Sequence, residues 1–313
     1  MSAEVETAGA NLVKERTQPC LDWLGRAGEL VVGSGCLHSG ATTLAVHTDF
    51  GPPGQDKETN QDYALAWGSD HRSQVAKPLL AIALADGVTS SYRSEWASEL
   101  VCAVALRKLV EQLISHEATA TTPEFPRAVV EIAFADACGA LQEIAKNMEA
   151  SPKDFCPPGQ FLLTWKYILR KGLLLQSTLT LAWIQDDWFR LAMVGDSGLL
   201  WREGGASEAE EVLAPDLSTN AVNVLGPRTG QPPPFDSLEQ RPWSAQVQCA
   251  LFSDGVGRGC LKSQKSCAWL LDRLARSQAE NHLNPAQECL RQIIAGGDPA
   301  YDDNLTLAFL YRQ

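Results

Sequence analysis

The sequence predicts an α+β fold, and three observations point there. Strand-like segments come in consecutive runs, at residues 63–67 and 79–85 and again at 173–184, 188–194 and 199–201. Helical periodicity comes in separate pairs, at 94–115 with 125–150 and at 264–278 with 285–295. Five aspartates, Asp62, Asp86, Asp196, Asp254 and Asp303, stand at or just beyond the ends of short apolar runs. Grouped strands and paired helices suit antiparallel sheets with helices outside them, whereas a doubly wound parallel sheet would alternate the two.

Residues 1–41 are weakly patterned and contain a Gly/Ser/His-rich stretch around Gly33-Ser34-Gly35, so they read as an extension ahead of a main domain at 42–313. Residues 42–49 alternate like a strand until Gly51-Pro52-Pro53-Gly54 breaks them. The run from Leu79 to Ala85 is apolar throughout, the mark of a buried strand. Ala97, Val101, Val104 and Leu106 mark the first helix; Val129, Ile132, Ala133, Ala137, Leu141, Ile144 and Met148 mark the second. Residues 154–159, with Pro157-Pro158, read as a connector, and Gln185-Asp186-Asp187 as a turn between strands. Residues 204–243 are polar, rich in Gly, Pro and Glu, and carry Pro232-Pro233-Pro234; without clear periodicity they read as a functional, flap-like loop or a small lobe. Strands at 246–252 and 305–311 flank the last helix pair.

Composition excludes several classes. With 45% hydrophobic and 20% charged residues the 313-residue chain is an ordinary globular protein. A net charge of −12 argues against a nucleic-acid partner, which needs a basic face. No apolar run approaches the roughly 18 residues a membrane span needs, and the acidic start lacks a secretory signal's basic and apolar regions. The nine cysteines include no Cys-x-x-Cys pair and read as buried free thiols in a reducing, cytoplasmic setting. The five histidines share no ligand spacing, and the glycine-rich stretch before Thr42 lacks a P-loop's lysine, having Ala41 there.

The aspartates carry the chemistry. Asp86 and Asp254 each leave an apolar run and are followed by glycine; Asp196 leaves another run, while Asp62 and Asp303 stand just before one. A single Asp-Gly is an ordinary turn. Five acids at strand ends would instead gather at one edge of a sheet, where they repel unless a cation lies between them. Oxygen-only donors with room for water suit Mg²⁺ or Mn²⁺.

Several short stretches, taken in order, resemble one family. They are Asn60-Gln61-Asp62, Ala85-Asp86-Gly87 with Glu95-Trp96-Ala97-Ser98, Gln176-Ser177-Thr178, Gly195-Asp196-Ser197, Phe252-Ser253-Asp254-Gly255 and Asp303-Asn304-Leu305-Thr306. From about residue 42 to the C-terminus the chain resembles the PP2C-type (PPM) metal-dependent protein serine/threonine phosphatases in their bacterial form. The resemblance implies a four-layer αββα sandwich, two antiparallel sheets flanked by helix pairs. It implies hydrolysis of phosphoserine and phosphothreonine by a metal-activated water, with two Mg²⁺ or Mn²⁺ ions and a third, weaker one. Asp86 would bridge two ions with the Gly87 carbonyl on one of them. Asp254 and Asp303 would complete the other shell, Asp62 would hold water, and Asp196 would share the third ion with Asp254. The implied partner is a phosphorylated protein, from a partner Ser/Thr kinase or its targets, with neither nucleic acid nor membrane. Three departures stand out, the first being Gln61 in place of the Glu found in many members. Lys57 takes the position of the family's phosphate-gripping arginine, offering a point charge without a bidentate fork. Val88-Thr89-Ser90-Ser91 replaces the usual glycine pair after Asp86-Gly87. The last two departures motivate an alternative, a catalytically weak pseudophosphatase that binds a phosphoprotein or kinase.

Overall fold

Alternating side-chain size, more than hydrophobicity alone, assigns the faces of this protein's strands. The computed structural model describes residues 3–49, 60–70, 73, 75, 77–116, 124–152, 161–204, 206, 208–214, 223–228, 231–263, 268–296, 301 and 303–312. Lys57, the glycine-proline break after 49 and the connector at 154–159 lie outside the described residues. The first sheet has the order β1 (Glu29–Val32), β4 (Asp62–Gly68), β5 (Leu79–Asp86), β6 (Leu179–Gln185), β7 (Trp188–Val194), β10 (Ser237–Pro242). The second has the order β2 (Ser34–Ser39), β3 (Thr42–Asp49), β12 (Leu305–Arg312), β11 (Gln248–Phe252), β8 (Gly198–Arg202), β9 (Glu210–Leu213). Every neighbouring pair is antiparallel.

In β5, Leu80, Ile82 and Leu84 point into the core between the sheets. Leu79, Ala81, Ala83 and Ala85 face the long helices α2 (Ser94–His116) and α3 (Arg127–Ala150). Period-two alternation therefore puts small residues under the helices, which approach closely, and large ones between the sheets. In β12, Leu305, Leu307 and Phe309 pack with Leu270, Leu271, Leu274 and Leu290 of α6 (Ala268–Ala279) and α7 (Pro285–Ala295), while Ala308 and Leu310 turn inward. The result is the αββα order of layers. Burying each such Leu or Ile contributes about 1.5–3 kcal/mol, so three cores rather than any one contact hold the layers.

Residues 3–39, expected to stand ahead of the fold, lie within it. They form α1 (Ala3–Ala27), β1 and β2, and each strand extends one sheet. Val13, Cys20 and Leu24 join the core beneath α2 and α3, Thr17 Oγ1 donates to Glu99 (3.1 Å) and Trp67 Nε1 to the Leu24 carbonyl (3.0 Å). The stripe of α1 is hard to see in sequence because buried Thr17 sits inside it and Pro19 follows. The segment 204–243, read as a functional loop or a small lobe, carries β9 and β10. Both are polar edge strands, half-buried at best, so neither alternates cleanly. Two helices were not expected, α4 (Phe161–Lys171) and α5 (Asp254–Lys262). The strand expected at 173–184 begins only at Leu179, because 174–177 make single bridges to Tyr92, Gly87 and Leu225. Among the described residues no helix is long and apolar enough to cross a membrane.

Candidate active site

The antiparallel pairing of β4 and β5 brings the start of one strand beside the end of the other, so Asp62 and Asp86 are direct register partners. The backbone of Asp86 is held from the next strand. Its N–H donates to Thr178 Oγ1 (2.9 Å), and its carbonyl accepts from the Thr178 N–H (2.9 Å) and Ser177 Oγ (3.0 Å). Asp62 is buried and accepts from Thr306 Oγ1 on β12 (2.9 Å), a bond that joins the two sheets at this end. Thr306 N–H in turn donates to Ser253 Oγ (3.0 Å), just before Asp254 opens α5. Asp86, Gly87, Asp196, Asp254 and Asp303 line one cleft of about 450 Å³, with Thr89, Ser90, Gln176, Thr178, Val224 and Arg258 among its other walls.

Glycines are required at three points. A Cβ on Gly87 would lie 2.8 Å from the Ser94 carbonyl oxygen, and one on Gly255 would lie 2.1 Å from that of Asn304. The two acids therefore sit where backbone meets backbone, a stricter demand than a sharp turn. Gly195 has φ +126° and faces Thr178, and its N–H donates to Asp236 Oδ2 (2.7 Å), which aims Asp196 at the cleft.

Electrostatics follow from crowding. Burial, together with Asp254, raises the Asp62 carboxyl to about 6 despite bonds that favour its charge. Burial, then Asp62 and Asp254, pushes Asp86 well above the ordinary carboxylate range. Burial, then Asp254, raises Asp196 to about 6, against the opposing pull of Arg258. The cleft is short of positive charge. Among the described residues no three His, Cys, Asp or Glu side chains converge as a ready metal-binding group. The donor chemistry nonetheless fits an oxygen-ligated divalent cation. The donor set supports that fit: the carboxylates of Asp86, Asp196, Asp254 and Asp303 line one cleft together with Gly87, with oxygen donors alone and space for water.

All of the aspartates singled out in the sequence meet at this end of the sandwich, with Asp62 behind Asp86; Lys57 is not described. Two residues escaped sequence reading. Asp236 was hidden in the flap-like segment. Arg258 was hidden because Asp254-Gly255 read as a turn, when Asp254 is the first residue of a helix that carries Arg258 one turn on.

The chain matches the family model for protein phosphatase 2C over residues 54–295 and belongs to that family. No curated protein sequence matches it. It is similar to the serine-threonine phosphatase 2C of Toxoplasma gondii, at 14% identity, covering 91% of this chain and 100% of that one, with TM-score 0.61. It is similar to the Mycobacterium tuberculosis phosphatase PstP at 19% identity, covering 87% and 99%, with TM-score 0.54. The PstP catalytic domain has also been solved with two manganese ions (19% identity, covering 86% and 97%, TM-score 0.53). At such identities the likeness shows the fold. The pseudophosphatase alternative finds no support in these comparisons.

Proposed function

We infer that the chain hydrolyses phosphoserine and phosphothreonine in proteins with Mg²⁺ or Mn²⁺ as cofactor. The observation that carries this reading is the meeting of four aspartates from separate strand ends in one cleft, with Asp62 directly behind Asp86. Asp86, Asp254 and Asp303, with the Gly87 carbonyl, would hold two ions, and Asp196 with Asp254 a weaker third. The ions supply positive charge that activates the attacking water and offsets the phosphoryl oxygens. Asp62, fixed by Thr306, would orient water toward the cleft. Thr178 and Ser177 keep the Asp86 backbone in register with that position. Thr89 and Ser90 give the rim hydroxyl groups suited to a phosphorylated side chain. Val224 lies on the wall and Leu225 exchanges backbone bonds with Ser177, so the segment at 204–243 borders the opening and would select among phosphoproteins made by a partner kinase. The manganese-bound PstP domain, similar in fold, supports the metal assignment by analogy.

The test is release of phosphate from a phosphothreonine peptide and from p-nitrophenyl phosphate. Hydrolysis is expected with Mn²⁺ or Mg²⁺ and is expected to stop in EDTA. Undiminished hydrolysis in EDTA would sink the metal assignment; no hydrolysis with either ion would sink the activity.

A further inference from the structure

Arg258 is the one positively charged side chain among the described residues that line the cleft, where it faces Asp86, Asp196, Asp254 and Asp303. It lies four residues after Asp254 on α5, so the two side chains share one helix face. Its Nη2 pairs with Asp254 Oδ2, and its Nη1 lies 3.8 Å from Asp303 Oδ2. The side chain is 40% exposed and so reaches both the acids and the open cleft. Its guanidinium therefore occupies two of the carboxylates that the phosphatase reading gives to metal. A guanidinium carries five donors in a planar fork matched equally to carboxylate and to phosphate.

We propose that Arg258 is the internal counter-ion of the metal-free cleft and becomes a ligand of the substrate's phosphoryl group when metal takes Asp254 and Asp303. The two roles are linked. The ion must displace the guanidinium, so Arg258 weakens metal binding. The displaced fork is then free at the cleft wall to meet phosphoryl oxygens. This inference rests on the metal-dependent phosphatase reading.

The test uses the full chain, stripped of metal. Mn²⁺ affinity is measured by isothermal titration calorimetry for the wild type, Arg258→Met and Arg258→Lys. Inorganic phosphate affinity is then measured on the Mn²⁺-loaded proteins, with circular dichroism as the check on folding. Removing the competing cation in Arg258→Met should tighten Mn²⁺ about tenfold, equivalent to about 1.4 kcal/mol, and weaken phosphate about fivefold. Arg258→Lys keeps the charge and loses the fork, so Mn²⁺ affinity should stay near wild type while phosphate binding falls partway. If Arg258→Met fails to fold, the lysine variant's weaker phosphate binding remains a test. Unchanged Mn²⁺ affinity in folded Arg258→Met, or unchanged phosphate affinity in either variant, would overturn the assignment of Arg258 alone. A wild type that binds no Mn²⁺ would overturn the metal reading and this inference with it.

Discussion

The two ends of the sandwich are built on opposite terms. At the end where β7 and β11 begin and β8 finishes, Phe189, Trp201 and Trp243 pack ring against ring, with centroids 5.3 and 5.7 Å apart around Trp201. Trp243 Nε1 donates to Thr42 Oγ1 (2.9 Å), so a polar group buried there is satisfied. At the other end β4, β5, β7 and β11 deliver Asp62, Asp86, Asp196 and Asp254, and Arg258, the one cation among the described cleft residues, pairs with Asp254 and opposes the rise of Asp196. At the aromatic end Trp201 Nε1 is buried without a hydrogen-bond partner among the described residues, yet the packed rings favour folding while the crowded acids work against it, the pattern expected where stability supports a functional site. The aromatic end supplies stability that the acidic end consumes.

The largest effect should come from breaking the aromatic end. Trp201→Ala removes a fully buried ring and should cost about 3–5 kcal/mol of stability, read as a lower urea midpoint. Adding Mn²⁺ should not restore it, because the damage lies far from the acids. A loss below about 1 kcal/mol would mean that this cluster is not the stable pole of the fold.

Next comes the acidic end itself. Asp86→Asn keeps the size of the side chain and removes one charge. Turnover on p-nitrophenyl phosphate should fall at least about a hundredfold, while the melting temperature without metal holds or rises, since a crowded carboxylate is gone. Asp254→Asn should act alike, and the double variant should add little, because residues of one unit are not additive. Near-normal turnover in Asp86→Asn would remove the centre of the proposed function.

A smaller effect sharpens the contrast through pH. Asp62 and Asp196 have folded pKa values raised to about 6, and burial raises Asp86 well above the ordinary carboxylate range. The folded state therefore holds protons that the unfolded chain releases above about pH 4. That contribution to stability is fully present below pH 4 and is lost as pH rises through 6. Without metal, the protein should melt about 2 °C lower at pH 7.5 than at pH 5, the shift that about 1 kcal/mol produces in a chain of this size. The gain on adding Mn²⁺ should grow over the same range. Differential scanning fluorimetry in EDTA and in Mn²⁺ measures both, and a flat metal-free profile would count against crowded carboxylates.

The smallest effect concerns Lys57. If its ammonium meets substrate phosphate, Lys57→Ala should raise KM a few-fold and leave kcat nearly unchanged, as loss of a ground-state contact does. Steady-state rates on a phosphothreonine peptide decide it; an unchanged KM would make Lys57 a solvated lysine.

Much of this was legible in the order of residues. Apolar runs such as Leu79 to Ala85 announced buried strands, paired helical stripes announced the outer layers, and each aspartate marked a strand end. Local periodicity records which faces are covered, so the layers could be read from it. The sequence alone could not show that α1, β1 and β2 belong to the sandwich, since a helix with Thr17 in its buried stripe and edge strands half in water leave weak patterns. Nor could it show that Gly87 and Gly255 are demanded by carbonyls of Ser94 and Asn304, or that Arg258 answers Asp254 and Asp303. Those facts depend on which distant segments touch. Only the antiparallel register of two sheets brings residues 62, 86, 196, 254 and 303 to one edge, and only there do their charges act on one another.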